Sequence, residues 1–346
     1  MKGRRLRIGL IAPLDRTIPP RGHAGTERIV AALAEGLVKR GHLVTLFASG
    51  DSRTPATLVP SWPKQLKGES PVMRELATTK QLLDVVGTTK RIDVWSNHLY
   101  YGAMALAPAL RAPLLTTIHG AHSATKERTY ATASKYSRFV SISQSQRRQF
   151  GNVRFAGTVY NGIDMERFTL GRGEDGYFAW IGWISEKKGT AEAIQLARRH
   201  RLHLKIAGLV TEENREYFEK QVRPFLSSRI EFLGEIDGRR KVDFYRNAVA
   251  LLNPIKWEEP FGLVVAEAMA CGTPVLAVSR GAMPELITDG VSGFLAPTPS
   301  ALGRYVERVS GLGRTAVRAD VVERFSDERM VDDYERLFRR VAAKTR

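Results

Sequence analysis

Residues 6–48 carry, in order, an apolar strand, a loop rich in Pro and Gly, an amphipathic helix and a second apolar strand. No other feature of the chain restricts its fold as much. Leu6–Ala12 alternates too little for a half-exposed strand and reads as a buried strand of a parallel sheet. After the loop Pro13–Gly25, the residues Ile29, Val30, Leu33, Ala34, Leu37 and Val38 recur at helical spacing up to Gly41, where a left-handed cap is expected. Leu43–Ala48 is the next strand. A β-loop-α-β unit of this kind opens a doubly wound α/β domain. Further strand candidates end at Trp95, Ile118 and Ser141.

The second half restarts the same grammar. Strands are expected at Tyr177–Ile181, Leu204–Ala207, Ile230–Leu233, Ala250–Leu252 and Val275–Val278, with helices at Thr190–Arg199 and Glu212–Leu226. Between the halves, Tyr160-Asn-Gly-Ile-Asp164 is rich in turn formers and suits a linker. At roughly 150 residues per domain, 346 residues favour two domains, here 1–160 and 161–326. The segment from Ser326 is amphipathic, with Met330, Tyr334, Leu337, Phe338 and Val341 on one face, and residues 327–346 are expected to pack back on the first domain. Ligands of two facing α/β domains belong at the carboxyl ends of both sheets, so the cleft between the domains is the expected active site.

Composition removes several classes. A single cysteine, Cys271, excludes an intramolecular disulfide and a cysteine-based zinc cluster. The apolar runs are too short to span a bilayer. The amino terminus Met1-Lys-Gly-Arg-Arg resembles a signal-peptide n-region, but Ile8–Leu14 is short and lacks a small-residue cleavage site, so a cytoplasmic protein is expected. The net charge of +17 is unevenly placed: residues 1–160 hold 24 Lys/Arg against 9 Asp/Glu, and the remainder 29 against 27. Such asymmetry has two readings, contact with an anionic partner or an Arg-rich coding bias spread over a solvated surface.

The motif search is mostly negative. Gly171-Arg-Gly-Glu-Asp-Gly176 has the dinucleotide spacing but precedes a strand instead of following one, which makes it a loop. There is no GxxxxGK[ST], HExxH or CxxC sequence and no Asp-x-Asp pair to hold a metal–diphosphate complex, so no metal is expected. The informative stretch is Trp257–Val275. Glu259 lies in a loop before Pro260, a helix is expected to begin near Gly262, and Glu267 falls about two turns into it within the apolar run Leu263–Cys271. A carboxylate on so apolar a helix must be paired or hydrogen-bonded. It is either a structural group satisfied locally or one of two acids flanking a helix N-terminus, which is a natural anion site.

These residues resemble the retaining glycosyltransferases of family 4 (glycosyl transferases group 1), whose fold is GT-B: two Rossmann-like parallel-sheet domains facing a cleft. The family's two glutamates, separated by seven residues in a Glu-Pro-Phe-Gly…Glu-Ala context, are matched by Glu259 and Glu267. Its Asn-Gly-(Ile/Val)-Asp turn is matched by Asn161–Asp164, and its Gly-Arg-…-Lys-Gly motif by Gly182–Gly189. The loop after the first strand is matched by Ala24-Gly-Thr-Glu27, and the strand-end histidine by Thr117-Ile-His-Gly120.

The resemblance implies a metal-independent transfer of a sugar from a nucleotide diphosphate to an acceptor hydroxyl, with retention. It assigns Glu259 to hydroxyls of the donor sugar, with the amides of Phe261, Gly262 and Leu263 around sugar and phosphate. Glu267 is assigned to the nucleotide ribose, Lys188 to the diphosphate with help from amides near Gly25, and His119 to the reacting sugar. Gly182 belongs to the donor motif, and Phe232–Ile236, including Gly234 and Ile236, is expected beside the nucleobase. His98, at another strand end, lines the acceptor side or supports a residue that does. No cofactor is expected beyond the nucleotide sugar as co-substrate, and a UDP-sugar is preferred to a GDP-sugar.

Two departures stand out. Trp183 occupies the position of the family's arginine, so Lys187, a basic residue of the first domain, or Lys188 alone must supply the missing charge. Ala24 replaces the first glycine of its loop. Arg147 and Arg148 read as a solvated helix face, Cys271 as an inert buried residue, and Trp62, Trp95 and Trp180 as packing aromatics. Other readings are a nucleotide-sugar epimerase, a phosphorylase (for which no pyridoxal-phosphate lysine is found) and a non-catalytic nucleotide-sugar or nucleic-acid binder. No recognition helix or RNA-binding signature supports nucleic acid as a partner. A carboxylate-pair hydrolase is disfavoured because both glutamates lie on one loop–helix element. The basic half suggests an acceptor that is anionic or lipid-linked, reached by peripheral electrostatic contact at the inner membrane face.

Overall fold

Two runs of strand–helix grammar build two parallel sheets. The computed structural model describes residues 4–22, 24–88 and 91–343, and the chain divides into two units: Met1–Gly162 with Asp327–Arg346, and Ile163–Ser326. Residues 1–3 of the basic amino terminus, residue 23 of the first loop and residues 344–346 of the expected last helix lie outside the described residues.

The first unit contains β1 (Arg7–Ile11), α1 (Gly25–Lys39), β2 (Leu43–Ser49), β3 (Thr57–Trp62), α2 (Pro71–Val86), β4 (Val94–Asn97), β5 (Leu114–Thr117), α3 (Ala124–Ala133), β6 (Arg138–Ser141), α4 (Gln144–Gln149) and β7 (Phe155–Thr158). Its seven parallel strands are ordered β3-β2-β1-β4-β5-β6-β7. The order reverses between β1 and β4, and the carboxyl ends of those two strands open the crevice where doubly wound sheets take ligands. Gly9 of β1 is held to glycine by Trp95 of β4: a Cβ there would lie 2.3 Å from the indole.

The second unit contains β8 (Tyr177–Ile181), α5 (Thr190–Arg199), β9 (His203–Ala207), α6 (Arg215–Gln221), β10 (Ile230–Phe232), α7 (Gly238–Arg246), β11 (Ala250–Asn253), α8 (Leu263–Ala270), β12 (Val275–Val278), α9 (Met283–Leu286), β13 (Gly293–Ala296) and α10 (Arg314–Phe325). Six parallel strands follow the order β10-β9-β8-β11-β12-β13, with the switch point between β8 and β11.

The last helix, α11 (Asp327–Ala343), belongs to the first unit. Met330, Val331, Tyr334, Leu337 and Phe338 are buried on one face, each gaining about 1.5–3 kcal/mol over exposure. Gly36 of α1 lets the helix approach, since a Cβ there would meet Val331 at 2.6 Å. Arg40 bridges Asp332 and Glu335, and the Tyr334 hydroxyl meets Thr117 Oγ1 at 2.9 Å.

Several elements depart from the sequence reading. The expected helix Glu212–Leu226 is three pieces: a 3-10 turn at Glu212–Asn214, α6, and a second 3-10 turn at Arg223–Phe225. Pro224 has no N–H to continue the ladder, so the helix stops before it. Glu267 is the fifth residue of α8, about one turn in instead of two. β3 was not foreseen, and it carries Pro60, tolerated because β3 is an edge strand. α2 escaped notice because Val72, Leu76, Leu83 and Val86 are exposed while Gln81 is buried, which blurs the apolar period. Gln81 is satisfied by the carbonyls of Ala12 and Phe47 at 2.8 and 3.0 Å.

Candidate active site

In the second unit, the loops leaving β8 and β11 flank the switch point and bring Lys188 and Glu259 together. Lys188 ends a short 3-10 turn, Glu186–Lys188, and the chain then enters α5 through Gly189. Gly189 has φ +73°, and a Cβ on it would come 2.0 Å from the Pro254 carbonyl oxygen, so only glycine fits where the two loops cross. The Lys188 ammonium donates to Glu259 Oε2 at 2.5 Å and lies 4.6 Å from the centre of the Trp257 ring. The Trp257 indole N–H reaches the same carboxylate oxygen at 3.2 Å. A cation held by a carboxylate and an aromatic face, with part of its surface open, is a preorganised anion contact.

Beyond Glu259, Phe261 is buried against Phe325 with ring centres 5.8 Å apart, and Gly262 turns into α8 with φ +102°. The helix begins at Leu263, so its first amides face the loop that holds Glu259. Gly182 follows β8 directly. Gly234 and buried Ile236 lie in the loop after β10, where the Gly234 carbonyl accepts from Gly208 N–H at 2.8 Å. All the donor-side positions named from the sequence, except Gly25, therefore belong to this unit, at or just beyond its strand ends and along α8. Trp183 is 62% exposed, and Lys187 is exposed as well.

Glu267 is buried on α8 and is engaged from α7 through Oε2. Lys241 Nζ lies 2.5 Å from its Oε2, and the Tyr245 hydroxyl donates to the same oxygen at 3.0 Å. Lys241 and Tyr245 are four residues apart and so share a helix face. Burial, reinforced by the neighbouring carboxylate, pushes the Tyr245 hydroxyl well above its ordinary pKa. The same burial raises the Cys271 thiol to about 12, which keeps it unreactive. Lys241, Tyr245 and Trp257 were not singled out from the sequence. The available signal was a lysine flanked by Val242, Phe244 and Tyr245, on a helix whose face is buried.

In the first unit, the corresponding position holds imidazoles. His98 follows β4 and His119 follows β5, and His98 Nδ1 lies 2.9 Å from His119 Nε2. Ser96 Oγ contacts His98 Nε2 at 3.0 Å. Burial holds His119 down to about 4 and His98 well below the usual range, with the neighbouring imidazole adding to the effect on His98. Both rings are therefore neutral near pH 7, and one proton sits between them. The contact couples the two tautomers, since whichever ring donates obliges the other to accept, and the Ser96 hydroxyl serves either arrangement. Gly25 opens α1, whose N-cap Ala24 has no side chain to satisfy the first amides. Glu27 in the same turn is buried, and desolvation raises its pKa.

Two α/β units with paired ionic and imidazole groups at their strand ends define a GT-B enzyme architecture. A family model described as glycosyl transferases group 1 matches residues 163–318, and another described as glycosyltransferase family 4 matches residues 23–167. The chain belongs to this family. Phosphatidyl-myo-inositol mannosyltransferase of Mycobacterium tuberculosis is 26% identical over 326 residues, covering 84% of this chain and 82% of that protein. D-inositol 3-phosphate glycosyltransferase of Saccharomonospora viridis is 31% identical over 224 residues, 55% of this chain and 51% of that one. Sucrose-phosphate synthase of Thermosynechococcus elongatus shares the fold with a TM-score of 0.80 at 20% identity, over 98% and 100% of the two chains. Anabaena HepE in complex with UDP and glucose does so with a TM-score of 0.76 at 18% identity, over 97% and 100%. No helix among the described residues is long and apolar enough to cross a membrane.

Proposed function

We propose that this glycosyltransferase takes a nucleotide diphosphate sugar, by preference a UDP-sugar, and transfers the sugar to an acceptor hydroxyl with retention and without a metal ion. The observation that carries the reading is Lys188, fixed by Glu259 and Trp257 beside the start of α8. In the transfer, the acceptor oxygen bonds to the anomeric carbon as the bond from that carbon to the diphosphate oxygen breaks. The acceptor proton passes to the leaving phosphate on the same face. Negative charge grows on the diphosphate, and a positioned ammonium with helix amides favours it more in the transition state than in the ground state. Glu259 orients sugar hydroxyls while holding Lys188. Glu267 contacts the ribose, and Lys241 and Tyr245 hold it in place. His119, its tautomer coupled to that of His98, donates to or accepts from the sugar.

The same reading extends to the acceptor. The basic half of the chain favours an anionic acceptor or an anionic surface at the membrane face of a cytoplasmic enzyme, and a relative of 26% identity is named for a phosphatidylinositol acceptor. Co-sedimentation with anionic vesicles that fades as salt rises is the expected behaviour. For the reaction itself, incubation with a panel of UDP- and GDP-sugars, following nucleotide release and the product's anomeric configuration by NMR, is the test. Release from no donor, or an inverted product, refutes the assignment. Calorimetry with UDP separates the glutamates: Glu267→Ala is expected to weaken nucleotide binding, and Glu259→Ala to spare binding and impair transfer.

A further inference from the structure

The first unit has a second built feature at the carboxyl edge of its sheet. The loops after β1, β2 and β3 enclose a cavity of about 490 Å³ lined by Thr17, Arg21, Asp51, Arg53 and Gln65 together with two prolines. The loops are stitched to one another. Arg53 N–H donates to the Ile18 carbonyl at 2.7 Å, Ile18 N–H to Ser52 Oγ at 2.9 Å, and Leu66 N–H to the Leu14 carbonyl at 2.8 Å. Ile18 and Ser52 are buried, so the walls are anchored in the core. The lone acid of the lining, Asp51, is engaged by the backbone amide of Gln65 at 3.1 Å. Among the described residues, neither Arg21 nor Arg53 has a carboxylate or other side-chain partner, whereas the nearby Arg74 is paired with Asp15. Arg16, Lys64 and Lys67, beside the lining in sequence, add further positive charge.

We propose that this cavity is the phosphate subsite for the acceptor, with Arg21 and Arg53 as its two clamps. The proposal rests on the reading above that the enzyme glycosylates an acceptor hydroxyl. Each guanidinium offers five N–H donors in a planar fork that matches two phosphate oxygens at once. The loops that carry them are anchored in the core, whereas both side chains are exposed and give up rotamer freedom on binding. Adjacent strands lie about 4.8 Å apart, so the order β2-β1-β4-β5 places the cavity roughly 10–15 Å along the sheet edge from His119. The acceptor class is then a phosphorylated polyol or glycoside whose phosphate sits about 10–15 Å, two or three sugar rings, from the hydroxyl that is glycosylated. The phosphate is either a soluble monoester or the diester of a phospholipid headgroup.

The experiment is titration calorimetry on the full chain at low salt with four probes: myo-inositol, myo-inositol 1-phosphate, phosphatidylcholine vesicles, and the same vesicles containing phosphatidylinositol. Binding of myo-inositol 1-phosphate or of the phosphatidylinositol vesicles is expected, and no binding of myo-inositol or of the phosphatidylcholine vesicles, whose phosphodiester is offset by the choline charge. Binding of the soluble ester assigns a soluble acceptor; binding confined to phosphatidylinositol vesicles assigns a headgroup. In the Arg21→Ala/Arg53→Ala double variant, this binding should fall tenfold or more, while UDP affinity, acceptor-free nucleotide release and Tm stay at wild-type values. The Arg53→Lys variant should recover only part of the affinity, because an ammonium cannot bind two oxygens as a fork. No binding of either phosphorylated probe by the wild type, or equal binding by the double variant, overturns the proposal. Failure of the transferase reading would show separately, as absent UDP binding and absent nucleotide release.

Discussion

The two units solve one topological problem with opposite electrostatics. Each presents chemistry at the carboxyl edge of a parallel sheet, beside the point where strand order reverses. In the second unit that edge carries ions: Lys188 on Glu259, and behind it Lys241 on Glu267. In the first it carries two neutral imidazoles, although that half of the sequence is by far the more basic. Net charge is therefore a poor guide to a site. The surplus arginines and lysines of the first half sit mostly on its surface and loops, while burial strips charge from the histidines at its centre.

The comparison breaks first where a buried charge is left alone. Lys241→Ala should destabilise the second unit by about 3–5 kcal/mol, because it strands Glu267 in the core. The combined Lys241→Met/Glu267→Leu change should cost far less, and urea unfolding of the two variants distinguishes an ionic strut from simple packing. Lys188→Ala comes next. It should lower kcat about 10²–10³-fold, corresponding to about 2.7–4 kcal/mol, and unchanged kcat/KM would remove Lys188 from the diphosphate.

On the neutral side, His98→Gln leaves His119 with an altered partner and should cost about 1–3 kcal/mol in stability or transition-state binding. If His98 sets the tautomer of His119, kcat falls more than KM rises, and the acid limb of the pH profile moves. A merely structural role shifts Tm alone. The imidazoles also predict a sign. Their folded pKa values are depressed, His119 to about 4, so the unfolded chain binds more protons below its own pKa of about 6.5. Stability is fully present above pH 6.5 and is lost as pH falls toward 4, by at most about 1.4 kcal/mol per pH unit for each ring. A His98→Asn/His119→Asn variant should flatten that slope, with buried His42 supplying what remains. The smallest effect is the last: extensive chelation should leave transfer intact, and inhibition rescued by magnesium or manganese would show that Lys188 does not neutralise the diphosphate alone.

The sequence by itself determined the α/β class, the division into two sheets and the family, because apolar strands, capped helices and the Glu259–Glu267 spacing are local patterns. Buried strands such as Tyr177–Ile181 and Val275–Val278 fell where their residues required, while Pro60 and the exposed leucines of α2 hid elements whose stability comes from neighbours. That Glu267 must be paired was also legible, since an isolated carboxylate cannot stay ionised in so apolar a helix. Its partners were not legible. Lys241 and Tyr245 lie 26 and 22 residues away, and they meet Glu267 only because α7 and α8 pack against each other. Likewise His98 and His119 are 21 residues apart and touch because β4 and β5 are neighbours. Spacing within a helix or loop is written into the chain, whereas the pairing of side chains across strands depends on sheet order, and that order is decided by the whole fold.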